Sequence, residues 1–168
     1  MLLNLKKKIQ EDGTSLPLQY SFDLSKLSCD AVYPFVSPVQ VEGTVDMHGG
    51  FAQLQAAVSF DFSVPCDRCT AQINKRLTYR FSHTLVPSLT NERDADDDRY
   101  VVLQEDGSLD LDHLLQEDIL LALPNKFLCR EDCKGLCPIC GKNLNDGPCG
   151  CSHKEIDPRL EVLKQLIK

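Results

Sequence analysis

No apolar run in this 168-residue chain approaches the about 18 residues that a membrane-crossing helix needs, so a soluble protein is expected. Positive charge is also in short supply. Lys and Arg number 18 against 25 Asp and Glu, a formal charge of −7. Nucleic-acid binders of the general kind draw their affinity from a cationic surplus, so that class is disfavoured. Lys6 to Lys8 and the pair Lys75-Arg76 are short basic stretches of the sort that any surface carries. A secretory leader is not expected either, because Leu2, Leu3 and Leu5 run straight into Lys6-Lys7-Lys8 and no apolar stretch follows. The expectation is reduced cysteines and a cytoplasmic protein.

Against these absences stand nine cysteines. Eight fall into metal-ligand spacings: Cys66-x2-Cys69, Cys129-x3-Cys133, Cys137-x2-Cys140 and Cys149-x-Cys151. Zinc held by thiolates needs sulfurs about 4 Å apart, which a C-x-x-C turn supplies, and eight ligands suit two tetrahedral Zn²⁺ sites. In Cys137-Pro138-Ile139-Cys140-Gly141 the proline fixes one backbone angle, and the glycine permits the open dihedral of a tight knuckle. Loop entropy favours the short-range four, Cys137, Cys140, Cys149 and Cys151, as one site, leaving Cys66, Cys69, Cys129 and Cys133 as a long-range clamp. A crossed arrangement joining Cys66 and Cys69 to Cys137 and Cys140 stays open. Cys29 stands alone in its segment and reads as a small buried residue.

The first half alternates like antiparallel sheet. Val39, Val41, Val45 and Met47 share one parity, His48-Gly49-Gly50 turns, and Ala52, Leu54, Ala56, Val58, Phe60, Phe62 and Val64 continue as the second arm of a long hairpin. A third run, with Ile73, Leu77, Tyr79, Phe81 and Leu85 on one parity, begins after the first knuckle. His48 and His83 lie in or beside these strands and read as ordinary surface or turn residues. Residues 90–99 hold little to bury and read as a mobile acidic loop without the spacing of an EF-hand. Tyr100 to Leu103 reads as one more short strand, ended by a turn at Glu105-Asp106-Gly107. Asp110 can then cap a helix with Leu111, Leu114, Leu115, Ile119 and Ala122 at helical spacing, ended by Pro124. Leu120, Leu121 and Leu123 widen its apolar stripe, while His113, Glu117 and Asp118 read as its polar outer face. Asp157-Pro158 opens a short amphipathic C-terminal helix with Leu160, Leu163, Leu166 and Ile167.

The predicted fold is therefore α+β: an antiparallel sheet or partly open barrel with two or three helices and a C-terminal zinc-knuckle module. Residues 1–128 form the β domain with one helix, 129–156 the cysteine-rich module and 157–168 the last helix.

The order Asp23-Leu24-Ser25-Lys26-Leu27, hairpin, Cys66-Asp67-Arg68-Cys69, Asp118 to Pro124, Cys133-Lys134-Gly135-Leu136-Cys137-Pro138-Ile139-Cys140-Gly141-Lys142-Asn143-Leu144-Asn145 and Asp157-Pro158-Arg159-Leu160 resembles the bacterial YceD family, the large ribosomal RNA subunit accumulation proteins. The resemblance spans nearly the whole chain. It implies a role in the synthesis, processing or stability of 23S ribosomal RNA, hence large-subunit biogenesis, and a family gene commonly beside that for ribosomal protein L32. It carries over no catalytic residue, only the cysteines. Combined with the acidic charge, it points to an adaptor that holds a large-subunit protein such as L32, or an assembly factor, with RNA contact secondary.

Two other classes compete with a non-enzymatic assembly factor. A thiol redox protein using Cys66-x-x-Cys69 would want a helix N-terminus to stabilise its thiolate, whereas this knuckle leads into a strand. A metal-activated nuclease would need carboxylate or histidine clusters around an open metal, and the only carboxylate cluster is in the acidic 90s.

Overall fold

The computed structural model describes residues 1–29, 32–88 and 100–151; the expected acidic loop and the expected helix at 157–168 fall outside them. Among the described residues seven strands and one helix follow in chain order: β1 (Leu2–Asn4), β2 (Asp12–Phe22), β3 (Val39–His48), β4 (Ala52–Pro65), β5 (Gln72–Val86), β6 (Tyr100–Val102), β7 (Ser108–Asp110) and α1 (Leu111–Ala122). Five of them make an open sheet in the order β2-β3-β4-β5-β6, and β1 pairs with β7 in a separate ribbon. The chain is thus mostly sheet. Among the described residues it has one helix where two or three were expected, and the sheet does not close into a barrel.

Strict period-two patterning explains the long hairpin. Every even-numbered residue of β4 from Ala52 to Val64 is buried, and its odd-numbered neighbours are half-exposed or exposed. Register keeps that face continuous across the sheet: Val41 lies opposite Val58, and Val58 opposite Tyr79. A one-residue slip would turn every one of these side chains to water, so burial fixes the pairing. Phe35, from the loop after β2, fills the same face between Phe60 and Phe62 at ring separations of 5.2 and 5.3 Å.

Gly43 interrupts the apolar series of β3 for a steric reason. A Cβ there would lie 2.1 Å from the Gln55 carbonyl oxygen, so β3 and β4 approach too closely for any side chain. β2 carries Pro17 and is an edge strand, where a missing N–H is tolerated. The other long edge is only partly covered. β6 pairs with β5 in parallel over Thr84 to Val86, and no strand pairs with the outer side of Gln72–Ser82 among the described residues.

Asp110 caps α1 by accepting from the Asp112 and His113 amides at 3.2 and 3.5 Å. Leu111, Leu115 and Ile119 are buried, one turn apart on the inner side. The outer part of the wide stripe stays in water: Leu120 is 37% and Leu121 85% exposed. His83 departs from the expected surface position. It is only 9% exposed, and its Nε2 lies 2.7 Å from Oδ2 of Asp118, which tethers β5 to the helix. Asp118 therefore faces the sheet, not solvent, while His113 and Glu117 form an exposed pair at 3.6 Å. His48 is exposed and stacks on Phe51.

Candidate metal centre

The turn between β4 and β5 is built around Cys66 and Cys69. The Thr70 amide donates to the Cys66 carbonyl at 2.9 Å and the Cys66 amide to the Ala71 carbonyl at 2.8 Å, closing a knuckle. Thr70 sits at φ 58°, a left-handed conformation costly for a β-branched residue. The second knuckle repeats this geometry with the favoured residue. The Gly141 amide donates to the Cys137 carbonyl at 2.9 Å, the Cys137 amide to the Lys142 carbonyl at 2.8 Å, and Gly141 lies at φ 72°.

All eight predicted ligands are brought into two groups of four. Cys66, Cys69, Cys129 and Cys133 form one, and Cys137, Cys140, Cys149 and Cys151 the other, with the sulfurs of each group within 4.8 Å of one another. Two separations in the first group are 3.8 Å, Cys66 to Cys133, and 3.6 Å, Cys69 to Cys129. A tetrahedral ion with Zn–S bonds of about 2.3 Å places its sulfurs about 3.8 Å apart. This four-and-four grouping is the short-range and long-range division, not the crossed arrangement. No disulfide links any of these cysteines. Cys29 is remote from both groups in the sequence and bridges to Val32 through its backbone.

The thiols of each group differ in their tendency to ionise. Burial would push the Cys66 thiol up, but the amides of Cys129, Arg68 and Cys69 outweigh it and bring the thiol down to about 6. Cys137 comes down to about 6 because the Cys140 amide points at its sulfur. Their partners go the other way. Cys129 is pushed up to about 12 by its bond to the Cys133 sulfur, and Cys151 to about 12 by its bond to that of Cys140. In the first group Cys66 and Cys133 are thus drawn toward ionisation and Cys69 and Cys129 away from it, a conflict that a bound divalent cation would remove.

Side chains outside the cysteines hold the first group together, and spacing rules gave no sign of them. Arg68 Nη1 donates to the Cys133 carbonyl at 2.8 Å, and the Arg68 carbonyl accepts from the Leu136 amide at 3.0 Å. Gly135, at φ 75°, makes room for this contact, since a Cβ there would lie 2.9 Å from the Arg68 carbonyl oxygen. Asn145 donates from Nδ2 to the Cys133 sulfur at 3.4 Å, and its Oδ1 accepts from Arg130 at 2.7 Å and from the Lys134 amide at 2.8 Å. It therefore ties the stretch between Cys140 and Cys149 to the first group. The carboxylate-rich stretch weighed for a nuclease lies outside the described residues. Among the described residues no helix is long and apolar enough to cross a membrane.

Comparison with known proteins places these cysteines in a family. The family model for the large ribosomal RNA subunit accumulation protein YceD matches residues 54–167, which hold all eight. The Bacillus subtilis protein YlbN is 29% identical over 87% of this chain and 83% of its own length. The Mycobacterium tuberculosis protein Rv2926c is 35% identical over 61% of this chain, and an Arabidopsis thaliana protein named large ribosomal RNA subunit accumulation protein YCED homolog 1, chloroplastic, is 24% identical over 74%. The matched regions cover 49% and 47% of those two proteins, so the chain spans about half their length. No solved structure matches the chain.

Proposed function

The chain belongs to the YceD family of large ribosomal RNA subunit accumulation proteins, and on that footing we propose that it is a non-enzymatic factor of large-subunit biogenesis, held in shape by two structural zinc ions and acting in the bacterial cytoplasm. The grouping of eight sulfurs into two sets of four, each within 4.8 Å, carries the structural half of this reading. Four thiolates close the coordination of zinc and leave no position for water or substrate, so such an ion serves folding. The family description supports the ribosomal half.

A redox role for Cys66 and Cys69 is less well supported. Both sulfurs lie within a group of four, and the knuckle runs into β5 without a helix N-terminus to hold a reactive thiolate. The charge of −7 favours action through protein contacts, with a large-subunit protein such as L32 or with an assembly factor, over tight binding of bare RNA.

Affinity capture of the tagged protein from cells, followed by sedimentation, tests this reading. Co-migration with precursors of the large subunit is expected. Migration only as free protein, with the 23S to 16S ratio unchanged on deletion, contradicts it.

A further inference from the structure

The most unusual surface among the described residues is the outer edge of β5. This 15-residue strand has a strand partner on its outer side only at Thr84–Val86, leaving the side of Gln72–Ser82 without one among the described residues. Beside this edge runs a groove of about 300 Å³ against the segment Pro124 to Glu131. Ile73, Leu77, Phe127 and Leu128 give the groove an apolar lining, and Lys75 and Lys126 stand on its rim. Both lysines are exposed, and neither forms an ion pair among the described residues. Arg130 also lines the groove but is engaged with Asp132 and Asn145, and Glu131 is the one acidic neighbour.

We propose that this groove receives an extended segment of a partner protein, which adds to β5 as a fifth long strand and alternates apolar with acidic side chains. The proposal rests on the reading that the chain acts through protein contacts, and it names the kind of segment such a partner presents. An unpaired strand edge offers a row of backbone donors and acceptors, which an extended polypeptide satisfies and a nucleic acid does not. Alternation follows from the two faces of β5. Ile73 and Leu77 lie on the core side with the exposed Lys75 between them, whereas the outer side carries Arg80 and Arg76, the latter 3.8 Å from Asp61, so an added strand meets mainly apolar side chains on one face and cations on the other.

Charge argues against the other occupants. A second copy would bring its own Lys75, Arg76 and Arg80 to this edge, and β5 holds no acidic residue to meet them, so like charges would gather across the ladder. An RNA strand would find the cations but no free ring to stack on, because Phe127 already packs on Phe62 at 5.2 Å. Lysine on an edge also guards against unwanted pairing; the apolar groove alongside is what sets this edge apart.

The test is a displayed library of random dodecapeptides, panned on the full chain and in parallel on an Arg76→Glu/Arg80→Glu chain whose circular dichroism and metal content match the parent. Enriched peptides should alternate apolar and acidic residues. They should bind the parent at least tenfold more tightly than the variant, and lose at least tenfold when alternate amides on the ladder side are N-methylated. Basic or patternless peptides, equal binding to the variant, or indifference to N-methylation overturns the proposal. So does binding of a 12-nucleotide RNA that depends on the two arginines, or a concentration-dependent dimer that they control. A chain that restores 23S accumulation but selects no such peptide refutes the groove alone. One that selects the peptide but restores nothing refutes the ribosomal role alone.

Discussion

Asp67 and Phe127 are joined by two hydrogen bonds across 60 residues of sequence. The Asp67 amide donates to the Phe127 carbonyl at 2.9 Å, and the Phe127 amide donates to the Asp67 carboxylate at 2.7 Å. This pair sits beside the point where Cys66 and Cys69 meet Cys129 and Cys133, so it aligns two distant segments for a common ion.

Replacing Asp67 by alanine should therefore loosen the segment after α1 more than the sheet. The carboxylate is exposed, so the loss should be modest, about 1 kcal/mol in urea unfolding. Alkylation of Cys129 should speed up while the amide spectrum of β3 and β4 stays unchanged. Equal alkylation rates in parent and variant would show that the cysteines alone set the alignment.

Cys129→Ala should lower zinc from about two ions per chain to about one, measured by mass spectrometry under native conditions. Losing one of four thiolates removes much of a site's affinity, because metal binding is coupled to folding. The group around Cys137 should stay filled. Unchanged zinc would return Cys129 to the status of a spare thiol and restore the crossed arrangement.

Asp118→Ala should cost about 1–3 kcal/mol, since it removes the 2.7 Å contact that the buried His83 imidazole makes with the helix. Thermal unfolding reads this directly. A variant as stable as the parent would mean that β5 and α1 are held by apolar packing alone.

Gly43→Ala should destabilise by about 2–3 kcal/mol, because its Cβ overlaps backbone that cannot move aside without breaking the β3–β4 ladder. Urea unfolding of the variant is the check. An unperturbed midpoint would mean that the two strands separate there at little cost.

The parts of the fold legible in the sequence are those whose pattern is local. The β3–β4 hairpin showed itself because one parity from Ala52 to Val64 is apolar without a miss, and α1 because Asp110 offers a cap before apolar residues at helical spacing. β2 was not legible: Pro17 and Gly13 break its pattern, and an edge strand needs no clean alternation. The parallel pairing of β6 and the three-residue ribbon of β1 with β7 depend on tertiary contacts that no window of sequence contains. His83 was misplaced because its burial depends on Asp118, 35 residues away. In the candidate site, spacing pointed to the cysteines, but Arg68, Asn145 and the Asp67 pair act by hydrogen bonds whose partners are set only by the folded chain.

The central claim is that two cysteine-held zinc ions keep a factor needed for large-subunit biogenesis in its working shape. The most direct measurement is the 23S to 16S ratio in a deletion strain carrying either the parent gene or one with Cys66→Ser and Cys137→Ser together. Deletion should lower mature 23S RNA and large subunits relative to small ones, the parent should restore them, and the double variant should not, even when it accumulates to the parent's level. Full restoration by the double variant at equal abundance, with no zinc bound, would contradict the account.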